Sequence, residues 1–347
     1  MPARLVSRIP QTSMMTPVGA RFPARPGRAV ALLGLAAATL VILQTVQLGA
    51  RQAVERRVYV SVVDDKGAPV TDLTPADFIV REDGAAREVL RAGRATDPMQ
   101  ITVLVDDTQA ATPAILDERK GLQAFVAALN EGHEIALVTF GERPTILVEY
   151  TPTLARLTAG IDRIFSRPGS GSYLLEAILE TTKGLQKREA KRPVIVALTT
   201  EGEEFSNDYY VTVLEALRKS RAQFHAIIRS QGDPAGATSD AVRNRSFVLA
   251  EGTAQSGGRR DYILTDSAFA TKLPELAAEL KNQYLLVYAR PQTLIPPEKL
   301  EVLILLEEDD TATLNFCERL ELPAHFRLIV VPHGYPKTKP KACNHGL

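Results

Sequence analysis

Only two of the 347 residues are cysteine, Cys317 and Cys343, and both stand in the final stretch. That excludes a disulfide framework and a cysteine-ligated metal cluster; one optional bridge within the tail is the most the chain allows. Histidine is nearly as scarce, with five. His133 and His225 have no Cys, His or acid at ligand spacing, and His325, His333 and His345 form no zinc pattern. Net charge is missing too: 41 Lys+Arg balance 41 Asp+Glu. No long-range field draws the chain to nucleic acid, and no basic cluster lies outside the N-terminal arm. Catalytic signatures are also lacking. There is no Gly-x-Ser-x-Gly elbow, and Ser170 and Ser172 of the GSGS turn (169–172) have no evident histidine partner. The same turn lacks the Gly-Lys-Ser/Thr of a phosphate loop. Tyr209-Tyr210 and the pair Tyr284 and Tyr288 read as core and edge aromatics, not as a base-stacking platform. The expectation is a protein that is not an enzyme and binds no nucleic acid.

What is present starts at the N-terminus. Residues 1–28 carry five arginines (Arg4, Arg8, Arg21, Arg25, Arg28) and no acid, and no further charge appears until Arg51. Ala29 to Leu43 is an apolar run, AVALLGLAAATLVIL. A basic flank followed by an apolar segment reads as a secretory signal. The uncharged stretch 29–50, about 20 residues long, is also sufficient to span a bilayer as an uncleaved anchor. Both readings leave positive charge in the cytoplasm and export the remainder. Leu48-Gly49-Ala50 is only a tolerable cleavage site, so signal and anchor both stay open.

The rest is 45% hydrophobic over the whole chain, enough for one sizeable core with appendages, roughly two domains. VYVSVVDDKGAPV alternates Val58, Val60 and Val62 ahead of a turn at Asp65-Lys66-Gly67. DLTPADFIVREDG follows, with a second turn at Glu82-Asp83-Gly84. Two or three short strands are too few to fold alone, so they lean on a larger partner. From about Gln100 the rhythm becomes strand, helix, strand. ITVLVD (101–106) and PVIVALTT (193–200) are continuous apolar runs, as in strands buried on both faces. Helical stripes alternate with them over residues 113–129, 154–165, 174–185, 209–220 and 273–283, and QYLLVYA (283–289) is a last strong strand. The fold class expected is α/β: a doubly wound, mainly parallel sheet with helices on both faces, plus a short N-terminal β segment. Ligands of such sheets sit beyond the carboxyl ends of the strands. Residues 307–347 lose the pattern and end in a Pro/Lys-rich tail.

Three polar clusters fall on that edge: Asp106-Asp107-Thr108-Gln109-Ala110, Gly169-Ser170-Gly171-Ser172, and Thr199-Thr200-Glu201-Gly202-Glu203-Glu204. Oxygen-only donors suit Mg²⁺ or Ca²⁺. The same Asp106, Thr108 and Ser172 also suit plain helix caps, which need no ion. Asp107 and the Glu203-Glu204 pair read as solvated charges.

Four stretches, VYVSVVDDKGAPVTDLTPADFIVREDG (58–84), ITVLVDDTQA (101–110), VIVALTTEGEE (194–204) and LAAELKNQYLLVYARP (276–291), together resemble the von Willebrand factor type A (VWA) domain. More closely, the chain is similar to secreted bacterial VWFA-related proteins, in which a short β segment precedes that Rossmann-like fold. The resemblance implies residues 1–53 as signal peptide or anchor, 54–97 as β segment, 98–291 as the VWA-like domain and 292–347 as a C-terminal β segment or irregular tail. It also implies a metal-ion-dependent adhesion site, built from a D-x-S-x-S loop, a Thr and a third-loop Asp. On that pattern Asp106 takes the first Asp and Thr108 the first Ser, while Ala110 stands at the second Ser without an oxygen. Ser172 takes the Thr, and Glu201 replaces the last Asp with one methylene more. The implied function is an exported protein-interaction module with a degenerate site, in which Mg²⁺ or Ca²⁺ accepts an acidic side chain of a protein ligand. The alternative is a metal-independent scaffold at the cell envelope, touching the membrane only through residues 29–50 if these are retained.

Overall fold

The computed structural model describes residues 53–64, 67–231, 239–292 and 300–306, together with the backbone of two further strands. The basic arm, the apolar run 29–50, Asp65-Lys66, Cys343 and the tail histidines lie outside the described residues.

Four strands come first: β1 (Ala53–Val63), β2 (Phe78–Glu82), β3 (Ala85–Arg87) and β4 (Val89–Arg94). Their alternation puts Val58, Val60, Val62, Phe78 and Val80 into one small core. The chain then enters the α/β domain. Strand β5 (Gln100–Val105) is followed by α1 (Ile115–Leu129), the antiparallel pair β6 (Glu134–Thr139) and β7 (Thr145–Thr151), and then α2 (Leu154–Ile161) and α3 (Leu174–Lys187). β8 (Pro193–Thr200), α4 (Tyr210–Ser220) and β9 (Gln223–Arg229) follow. Next come α5 (Asp240–Phe247), a π-helical turn (Val248–Gly252), α6 (Thr253–Ser256), β10 (Arg260–Ile263) and α7 (Phe269–Lys281).

The six strands β10-β9-β8-β5-β6-β7 form one sheet in that spatial order, parallel throughout except for the antiparallel edge strand β7. Strand periodicity decides its two faces. Val103, Val105, Val194, Val196 and Leu198 face α1, α2 and α7 in one layer of core. Leu104, Ile195, Ala197, Phe224 and Ala226 face α3 and α4 in the other. Because both faces are covered, all eight residues of β8 are buried, which is why its sequence is a run and not an alternation. α1 and α7 meet at Gly121, where a Cβ would lie 2.5 Å from the carbonyl oxygen of Phe269. The doubly wound α/β architecture is thus present. Among the described residues no helix is long and apolar enough to cross a membrane.

The strand at 283–289 is placed differently from its expected membership of the VWA-like domain. β11 (Tyr284–Pro291) pairs antiparallel with β1 from Tyr284↔Val60 to Pro291↔Ala53 and with β4 on its other side. Its buried Tyr284, Leu286 and Tyr288 belong to the small core. β12 (Leu300–Leu306) pairs with β2, β13 (Asn315–Arg319) with β1, and β14 (Val331–Pro332) with β12. The β module is therefore built from both flanks of the chain, and the α/β domain is inserted between β4 and β11. The physical reason is register: Tyr284, Leu286 and Tyr288 alternate on one face, a pattern that fits a strand whose two faces differ.

Arg192 joins the two parts. It precedes β8 and is only 2% exposed. Its Nη2 donates to Gln283 Oε1 at 2.7 Å and to the Leu280 carbonyl at 3.0 Å, and its Nη1 donates to the Asp97 carbonyl at 3.1 Å. The guanidinium stacks 4.8 Å from the ring centroid of Tyr59 on β1. Gln283 in turn donates to Ser61 Oγ at 2.9 Å and to Gln223 Oε1 at 2.8 Å. Burial lowers the Arg192 pKa to about 10. Replacing Arg192 by Met orphans Gln283 Oε1 and two carbonyls, so it is expected to lower unfolding free energy by roughly 2–5 kcal/mol. A urea midpoint unchanged from wild type would contradict this.

Candidate functional site

The carboxyl ends of β5, β6, β8 and β9 carry the loops in which sequence placed the chemistry. Asp106 follows β5 and is fully buried. Its Oδ1 accepts the Thr108 amide at 2.9 Å and its Oδ2 accepts the Thr200 amide at 2.8 Å, so one carboxylate ties the first loop to the third. Asp107, expected to be solvated, is 2% exposed. Its Oδ1 accepts the Gly141 amide and its Oδ2 accepts Arg167 Nε, both at 2.6 Å. The Asp107 charge holds the Arg167 pKa above the ordinary arginine value. Gly169 donates its amide to Gln109 Oε1 at 2.7 Å, a second tie between the first and second loops.

Ser172, in the second loop, donates its hydroxyl to Glu204 Oε2 at 2.7 Å and accepts the Leu174 amide at 3.3 Å, which opens α3. Glu204 therefore corrects a second expectation, since it is 4% exposed and no solvated charge. Burial raises its pKa, opposed by hydrogen bonds from Ser206 and Ser172 and by the field of Arg245. Glu201 turns the other way, accepting Ser230 Oγ at 2.7 Å and the Gln231 amide at 3.1 Å. Ala110 meets Gly202 with its methyl, 3.5 Å from where a Cβ on that glycine would sit. The three loops converge, but hydrogen bonding groups only Asp106 with Thr108, and draws Ser172 to Glu204 and Glu201 to Ser230.

That donor set does not fit an ion that demands six oxygens in octahedral array. Both Asp106 oxygens already accept backbone amides, the Glu201 carboxylate is taken up by Ser230 and Gln231, and Ala110 supplies a methyl where the pattern places an oxygen. Among the described residues no three His, Cys, Asp or Glu side chains group as a metal cluster. The hydroxyls of Thr199 and Thr200 at the end of β8 are buried without a partner among the described residues, and two neutral hydroxyls do not complete a shell of six.

Two buried groups had no signal in the sequence. Arg245 on α5 is 4% exposed and places Nη1 3.5 Å from the Thr200 carbonyl. Glu118, in the first turn of α1, is fully buried, and neither carboxyl oxygen has a hydrogen-bond partner among the described residues. Burial, and then the nearby charges of Asp106, Asp266 and Asp107, push its pKa well up. Burial raises Asp106 as well, against hydrogen bonds from Thr108 and Thr200 and the charge of Arg245. A glutamate in a helical stripe looks like a solvated residue; only the approach of the β5 loop buries it. The two strand-associated histidines each accept a backbone amide: His133 Nδ1 from Met99 at 3.2 Å and His225 Nδ1 from Arg259 at 3.1 Å. Burial holds His225 neutral, with a pKa of about 3.

Beside these loops two aromatic groups reach solvent, Phe205 with Tyr173 and Tyr209 with Tyr210 and Phe247. Phe205 is 45% exposed, Tyr209 61% and Phe247 52%. Phe205 lies 6.1 Å from Tyr173, and Tyr210 bridges Tyr209 and Phe247 at 5.0 and 5.1 Å between ring centroids. Gly171 seats Phe205, because a Cβ there would lie 2.0 Å from its ring.

Residues 87–203 match the family model of the von Willebrand factor type A domain. No curated protein matches the chain. Solved structures similar to it include a von Willebrand factor type A protein from Catenulispora acidiphila, at 10% identity over 80% of this chain and 75% of that one, with a TM-score of 0.43. The conserved hypothetical protein BatB from Bacteroides thetaiotaomicron aligns at 13% identity over 53% and 99%, with a TM-score of 0.36. An aerotolerance-related membrane protein from Bacteroides fragilis NCTC 9343 aligns at 11% over 52% and 98%, with a TM-score of 0.39.

Glu118 gives a pH test. Its folded pKa lies above its unfolded value, so it costs nothing below about pH 4 and its cost grows as pH rises from there toward the folded pKa. Glu118→Gln is expected to match wild type in thermal midpoint at about pH 4 and to exceed it at about pH 8. Equal midpoints at both would show that the carboxyl is solvated.

Proposed function

Since residues 87–203 match the family model of the von Willebrand factor type A domain, we propose that the protein is an exported, non-enzymatic interaction module that engages a partner protein through the carboxyl edge of its central sheet. The observation that carries this reading is the exposure of Phe205, Tyr209 and Phe247 beside loops that are otherwise locked by buried hydrogen bonds. Aromatic side chains held in place supply contact area at low entropic cost, and they concentrate binding energy at protein interfaces. The edge below them is preorganised: Asp106, Asp107, Ser172 and Glu204 spend their polar atoms on one another's loops, so little ordering remains to be done on binding. Among the described residues of this edge those same commitments occupy Asp106, Asp107 and Glu204, and both strand-associated histidines are tied to backbone amides, which supports a reading without catalysis. Export rests on the basic arm followed by the apolar run 29–43.

A photo-crosslinking residue at position 205 is expected to capture a discrete partner in the producing cell. The same residue at Ile146, 58% exposed on edge strand β7, is expected to capture none. Added to the variant with the crosslinker at position 205, Gly171→Ala should displace that side chain and abolish the crosslink while leaving the thermal midpoint in place, because the side chain can swing into solvent. Equal capture from both positions would remove the edge from this account. Fractionation with mass spectrometry of the mature N-terminus should find the domain outside the cytoplasm.

A further inference from the structure

We propose that a cleft where the β module meets the base of the α/β domain binds a small phosphate ester. It lies at the end of the sheet opposite the loop edge and does not depend on the interaction reading above.

The cleft has a volume of about 470 Å³, within the range of small-molecule sites. Its wall includes Arg57 and Tyr59 of β1, Asp97, Glu189 and Lys191 between α3 and β8, and Lys219 and Arg221 at the end of α4. Four cations thus meet two carboxylates, and Asp97 already accepts the Tyr59 hydroxyl at 2.7 Å. Lys219 pairs with Glu215 at 2.7 Å. Arg57, Lys191 and Arg221 are exposed and have no carboxylate partner among the described residues. Basic side chains near helix ends often serve the last carbonyls. Here the chain serves them itself. On α3 the amides of Arg188, Glu189 and Ala190 donate to the carbonyls of Gly184, Gln186 and Leu185 at 3.1, 3.0 and 3.2 Å. On α4 the Arg221 amide donates to the Arg218 carbonyl at 3.2 Å and the Ser220 hydroxyl to the Leu217 carbonyl at 2.8 Å. The side chains of Lys191 and Arg221 are left over. The backbone points the same way. Glu189 and Arg221 are both left-handed, with φ of 50° and 57°. Glycine adopts that conformation at a helix end without strain, so a side chain at either position is kept against the backbone preference. Both of those side chains line the cleft. A phosphate dianion suits the guanidinium forks of Arg57 and Arg221, with Lys191 as a point charge. Glu189 has no ion pair among the described residues and would oppose a bare phosphate, whereas it can accept from a hydroxyl. The ligand class is therefore a phosphate ester of a polyol, met free or as a lipid headgroup. The cations come from separate stretches of chain, so no basic run announces them.

The test is thermal unfolding of the full chain at constant ionic strength, titrated with glycerol 3-phosphate. The midpoint is expected to rise saturably, and sodium chloride in its place should give no such rise. Arg221→Gly removes the guanidinium and relaxes the left-handed residue, so this variant should fold at least as well as wild type and lose the response. Arg57→Gln should raise the half-saturating concentration by about tenfold or more. Arg156→Gln, an exposed position of α2 outside the cleft wall, should respond as wild type does. No saturable rise, or a response unchanged by either Arg57→Gln or Arg221→Gly, overturns the proposal. sn-Glycero-3-phosphoglycerol, the soluble headgroup of an anionic lipid, separates the two sources. A response to it at least as strong as to glycerol 3-phosphate assigns a lipid headgroup, and a response to the monoester alone assigns a free phosphorylated molecule.

Discussion

A carboxylate at the end of a strand covered on both faces has no water to turn to, and the organisation of the loop edge follows from that constraint at Asp106. Its two oxygens are satisfied by backbone amides from two different loops, Thr108 and Thr200. This brings the turn after β5 onto the turn after β8 and places Ala110 against Gly202. Asp107 repeats the device one residue later, holding the Gly141 amide and Arg167 and so tying in the loops after β6 and before α3. Ser172 and Glu204 close the circuit between the second and third loops. Each bond is modest alone, but an unmade one in this setting costs more than a made one contributes. The edge is therefore rigid as a unit, and its exposed aromatics stand on a fixed base.

The second organising contact lies at the opposite end of the sheet. Arg192, with Gln283, Ser61 and Gln223, forms a buried polar network between the α/β domain and the β module. Its stacking on Tyr59 adds a cation–π contact from β1. Because β1 and β11 pair along eight residues, the chain enters and leaves the inserted domain through adjacent strands. This gives the domain a short, stiff connection at one end and leaves the loop edge at the other end exposed.

Much of the α/β fold is legible along the chain because burial on both faces writes continuous apolar runs at 101–105 and 193–198, and the helices between them keep a clear stripe. The three loops are legible for the same reason: the ends of such strands are where polar residues must collect. What is not legible is the use of each polar side chain. Asp107 and Glu204 look like solvated acids, since nothing local says that Gly141, Arg167 or Ser172 will arrive beside them. Glu201 looks like a site ligand by its position after β8, but Ser230 beyond β9 claims its carboxylate.

By itself, then, the sequence determined the strand and helix order, the helices on both faces and the edge where the loops gather, because these follow from hydrophobic periodicity, which is local. Tertiary structure alone decided that Tyr284–Pro291 leaves the central sheet for β1, that Glu118 is buried without a partner, and that Arg245 comes to rest beside Thr200. Those outcomes depend on which distant groups share a low-dielectric interior, and charge balance in such an interior is a property of the assembled neighbourhood, not of any stretch of chain.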